Sequence, residues 1–185
     1  MIPFRTCATA AAALCLIPLS LAFVGSPEQP LPHPHFRKVI DCELKRNEHL
    51  KVSHITVTLD KAGAKKMAVG DGWHLGGAEL ETDLALKIGG HDVAPGKYAL
   101  SARKTAKGWA LTLHKGVGFS RFKKKDGTLV EGLMDLKTEF VADSAEFEHL
   151  SCDIQPGGDK KSTQLFLDVR FDTMLARCLI ELPAK

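Results

Sequence analysis

Trp73, His74 and Glu79 lie in one glycine-rich connection, Asp71-Gly72-Trp73-His74-Leu75-Gly76-Gly77-Ala78-Glu79, and His114-Lys115 close a segment that opens at Gly108-Trp109. Imidazole and carboxylate together suit zinc or a similar divalent ion, so His74, Glu79 and His114 form a candidate metal set. The same groups can serve as a general acid and base. With Trp73 and Lys115 they can also line a ligand site, because loops carried on a rigid frame are where sites commonly stand. Each residue equally admits a role without a ligand. Trp73 can cap a core, Glu79 can accept from nearby backbone N–H groups, and His114 falls on the solvent face of a strand whose other face is Trp109, Leu111 and Leu113.

Other polar groups are weaker candidates. His91-Asp92 follows Gly89-Gly90 and reads as turn chemistry, and His33 and His35 flank a proline in an arm where solvation suffices. Lys123-Lys124-Lys125-Asp126-Gly127 reads as a charged hairpin tip. There is no Gly-x-Ser-x-Gly elbow, His-Glu-x-x-His helix, phosphate loop or dinucleotide fingerprint. Cofactor identity is therefore not specified.

These residues need a frame, and period-two alternation supplies it. Val52 to Leu59 is rich in β-branched residues, which favour strands. Leu80, Thr82, Leu84, Leu86 and Ile88 alternate with polar neighbours as in one half-buried strand. After Gly89-Gly90 and Pro95-Gly96, the series Tyr98, Leu100, Ala102 and then Trp109, Leu111, Leu113 completes an expected three-strand meander. Met67 to Val69 reads as a short strand, and Leu129 to Phe140 leans the same way. Leu165 to Phe171 and Met174 to Leu182 alternate on either side of Asp172-Thr173, which predicts a terminal hairpin turning there. Many short strands without a long helical period imply an all-β antiparallel sandwich, jelly-roll-like, over residues 51–185.

Ahead of it, residues 1–22 read as a signal peptide: Arg5, an apolar run from Ala8 to Leu21, and Ser20-Leu21-Ala22. Cleavage after Ala22 is expected, with Ser26 as the alternative and an uncleaved anchor as another. Residues 23–50 are a proline-rich arm and an irregular lead-in. The protein is thus expected to be exported, periplasmic or extracellular, with no membrane association after cleavage. With 25 basic and 22 acidic residues interspersed and a formal charge of +3, nothing marks a nucleic-acid partner. Loss of the leader leaves Cys42, Cys152 and Cys178, an odd count that fits one disulfide plus a buried thiol, or none. Cys178 lies on an apolar strand face.

Over Asp71 to Lys115 the chain resembles the bacterial family known as domain of unknown function 2911. Trp73, Gly76 and Glu79 stand where that family has Trp-Arg-Thr-Gly-Ala-Asn-Glu. Ile88-Gly89-Gly90, Ala94 to Leu100 and Trp109 to Lys115 follow its spacing. His74, Ala78 and His114 replace the family's Arg, Asn and Asn. The resemblance implies an exported bacterial β-sandwich and no activity. The combined expectation is a non-enzymatic binding or structural module of the envelope or periplasm, meeting a small molecule, glycan or envelope component. The alternative is a metal-assisted hydrolase using His74, Glu79 and His114.

Overall fold

The computed structural model describes residues 35–45, 47–116, 122–158 and 163–183. The leader, the arm as far as Pro34 and the apolar segment 117–121 lie outside them. The described elements run β1 (Arg37–Lys45), β2 (Glu48–Ile55), α1 (Lys61–Lys66), β3 (Gly72–Trp73), β4 (Glu79–Thr82), β5 (Leu86–Ile88), β6 (His91–Val93), β7 (Gly96–Thr105), β8 (Gly108–Lys115), β9 (Leu133–Asp135), β10 (Thr138–Pro156) and β11 (Gln164–Glu181). One sheet orders β1-β2-β4-β7-β8-β9, with β3 paired to the far end of β7; the other orders β10-β11-β5-β6. The strand pairs are antiparallel throughout. The protein is an all-β antiparallel sandwich. Val52, Leu80, Leu100, Leu111 and Leu113 of the larger sheet share one core with Ile88, Cys152, Leu167, Val169 and Ile180 of the smaller.

The expected strand from Leu80 to Ile88 is two strands in different sheets. Thr82 Oγ1 donates to the Leu84 carbonyl and accepts from the Leu84 N–H, closing a corner at Asp83 to Ala85. Asp83 pins that corner to β2, its carboxylate accepting from the His49 N–H at 2.9 Å. The alternation survives the crossing because both halves face the same core from opposite sides. The meander is therefore interrupted: β5 and β6 form a hairpin in the smaller sheet before the chain returns to β7 and β8.

The predicted turn at Asp172-Thr173 falls instead within the continuous β11, where Asp172, at φ 54°, stands opposite a bulged stretch of β10. The inward set of β11 changes there from Leu167, Val169 and Phe171 to Ala176, Cys178 and Ile180, while the extra residues of the register shift lie on β10, between Ala142 and Phe147 and between Phe147 and Ser151. A change of parity in the sequence looks the same whether a chain turns or kinks. The sheet also starts earlier than residue 51. Ile40, Cys42 and Leu44 of β1 pack against the core while exposed Val39 blurs the alternation. Lys61 to Lys66 is helical and Met67 caps it, so no strand forms at Met67 to Val69. Within Leu129 to Phe140, β9 and the start of β10 are separated by Leu136-Lys137. All three described cysteines are free.

Candidate functional site

The five residues singled out by sequence are spread over the sandwich. Trp73 lies opposite Ala102 and sets its ring edge-on against Phe171, centroids 5.3 Å apart. His74 stacks on Phe122 at 4.9 Å. Gly72 permits that arrangement, because a Cβ there would stand 2.2 Å from the Phe122 ring. Glu79 and His114 occupy one cross-strand row, Ser53–Glu79–Ala99–His114–Leu133, with Ala99 between them. Their backbones are thus two strand spacings apart, about 10 Å. Lys115 is exposed at the end of β8. Among the described residues no three His, Cys, Asp or Glu side chains form a group that could hold a metal ion, so His74, Glu79 and His114 are not brought together as one. Glu79 lines a depression of about 180 Å³ whose rim alternates in charge, Arg37, Lys51 and Lys97 against Glu79 and Glu81.

What the fold does assemble is a cleft at one open end of the sandwich. Along the β7–β8 hairpin the inward pairs are Leu100 with Leu113 and Ala102 with Leu111, all fully buried. The next pair outward is Lys104 with Trp109. Lys104 Nζ lies 4.8 Å from the centre of the Trp109 ring, a cation–π contact that lets the ammonium sit over an apolar floor. Phe171 and Met174 face this pair from β11, and Leu59 enters from the connection between β2 and α1. Together they bound a cavity of about 240 Å³. Trp73 stands directly behind Phe171 and supports that floor.

Helix α1 forms the other wall, supplying Lys61, Ala64 and Lys65. Asp60 caps its N-terminus by accepting from the Gly63 N–H at 2.9 Å, and Lys65 and Lys66 suit the negative end of its dipole. It buries no residue. Lys61 Nζ pairs with Asp172 at 2.8 Å. Such an exposed pair is worth about 0–1 kcal/mol. A second cavity of about 310 Å³ shares Leu59, Lys61 and Asp172 and adds Thr58, Phe147 and Glu148.

A larger concavity, about 530 Å³, lies elsewhere, against the β5–β6 edge and Leu182-Pro183. Its walls are small aliphatic side chains and its charges, Lys87 against Asp92 and Glu181, do not converge on one sign. The three described thiols are poor nucleophiles. Burial pushes Cys152 and Cys178 up to about 12 and raises Cys42, so all three stay protonated near neutrality.

Sequence reading placed Trp109, Phe171 and Met174 in alternating apolar sets without assigning them to a site, and it singled out neither Lys104 nor Lys65. Lys104 continues the inward series Tyr98, Leu100, Ala102, and a lysine there signals that the core opens beyond Ala102. The parity change at Asp172 hid that Phe171 and Met174 share the cleft. No family model matches the chain, and neither does a curated protein or a solved structure.

Proposed function

We propose that this chain is an exported, non-enzymatic binding module that takes a small amphipathic molecule in the cleft between α1 and the Lys104–Trp109 pair. The carrying observation is that pair itself: an aromatic floor and an ammonium in inward register where the two sheets part. Small-molecule sites are concave and mostly apolar with a few polar groups, and two adjoining cavities sharing Leu59 match that description. The leader residues and the resemblance to the exported family support the envelope or periplasm as its place. The reading rests on binding alone and assigns no reaction to His74, Glu79 or His114.

The test is a titration with octanol followed by intrinsic fluorescence. The native chain should show saturable, one-to-one binding that disappears in Met174→Glu, with folding of the variant verified by circular dichroism. Unsaturable binding, or binding untouched by the substitution, contradicts the site.

A further inference from the structure

Resting on that reading, we infer that the cleft selects an anionic amphiphile, a carboxylate on an aliphatic or aromatic tail, with Lys65 and Lys104 holding the head group. Three lysines and one carboxylate border the helix-side cavity. Asp172 is already engaged by Lys61 at 2.8 Å. Among the described residues neither Lys65 nor Lys104 has an ion-pair partner, and Lys104 has only the face of Trp109. Two ammonium groups without counter-charges, beside an apolar floor, fit an anion with a hydrophobic body.

The neighbouring cavity sets the orientation. It contains Glu148 as well as Asp172 and only one lysine, so excess positive charge is confined to the helix side. The carboxylate belongs between Lys65 and Lys104, and the tail runs along Leu59 toward Phe147. A carboxylate pairing with Lys104 draws the ammonium off Trp109 and changes that ring's surroundings. Cations are disfavoured twice, by the lysines and by the lack of a free carboxylate on that side.

The experiment compares one tail with three heads: octanoate, octanol and octylammonium, titrated into the full chain at low salt. Octanoate should bind at least ten-fold more tightly than octanol, and octylammonium not at all. In the Lys65→Gln/Lys104→Gln double variant the preference for octanoate over octanol should vanish, and Lys104→Arg should keep it. Added salt should weaken octanoate but not octanol. Equal affinity for octanoate and octanol, lost together in Met174→Glu, would overturn the charge selection while leaving the cleft as a site. No binding by any of the three removes both.

Discussion

Arg177 forks onto Asp168, nine positions earlier in the same strand, its Nε and Nη2 each 2.8 Å from a carboxylate oxygen. Nine residues of straight strand span about 30 Å, far beyond the reach of these two side chains. The strand is therefore bent between them, where Asp172 takes a positive φ. Arg170 adds a third contact to Asp168 at 3.2 Å, and Arg177 also lies over the Phe166 ring. This brace holds the corner that places Phe171, Asp172 and Met174 at the cleft.

Asp168 is fully buried, so removing a partner strands a charge. Arg177→Leu should destabilise the fold by about 2 to 3 kcal/mol, below the full buried-pair value because Arg177 is partly exposed and Arg170 remains. Urea denaturation measures this. A change under about 0.5 kcal/mol, in the range of an ordinary surface substitution, would show that the corner stands without the fork.

His54 gives the fold a pH dependence. It is fully buried; its Nε2 accepts from the Cys152 N–H at 3.4 Å, and Nδ1 has no hydrogen-bond partner among the described residues. Burial first, and then Lys38 across the strand pair, lower its pKa from about 6.5. The folded state thus binds fewer protons than the unfolded state. The resulting stability is complete above about pH 6.5 and is lost as pH falls below it, by at most about 1.4 kcal/mol per pH unit. Asp41, Asp71 and Asp126, with lowered values, act only at more acidic pH. Urea midpoints between pH 7.5 and 5 should fall in the native chain and flatten in His54→Leu. Parallel slopes in the two would assign the effect to other groups.

Gly72 lies beneath Phe122, so Gly72→Ala should force the ring off His74 and cost about 1 to 3 kcal/mol, the usual range for overpacking. Gly72→Ala/Phe122→Leu should recover part of that loss. Thermal melts of the two variants decide it, and a neutral Gly72→Ala would mean that Phe122 does not rest there.

The three described thiols are free, and two are fully buried. Mass spectrometry after alkylation should show no loss of mass to disulfide, Cys152 and Cys178 unmodified in the native state, and every thiol modified in denaturant. A bridge between any two would contradict the free state.

Legibility followed how far local pattern decides structure. Alternation at Val52, Leu80, Leu100, Leu111 and Leu113 exposed the sandwich because a half-buried strand must alternate wherever it runs. It could not tell sheet from sheet, since Leu80 and Ile88 obey one period while facing the core from opposite sides. Nor could it separate a turn from a kink at Asp172, as either reverses parity. The cleft was hidden for a related reason. Lys104, Lys61 and Asp172 lie far apart in the chain and meet only through the β7–β8 register and the bend of β11. Trp73 was conspicuous by type, and it packs behind the floor rather than lining the cleft.

The most direct test of binding in the cleft uses Trp73→Phe, which leaves Trp109 as the sole tryptophan. Titration of this variant with octanoate should shift Trp109 emission in a saturable, one-to-one manner. Emission unchanged up to the solubility limit of octanoate, from a folded protein, would contradict it.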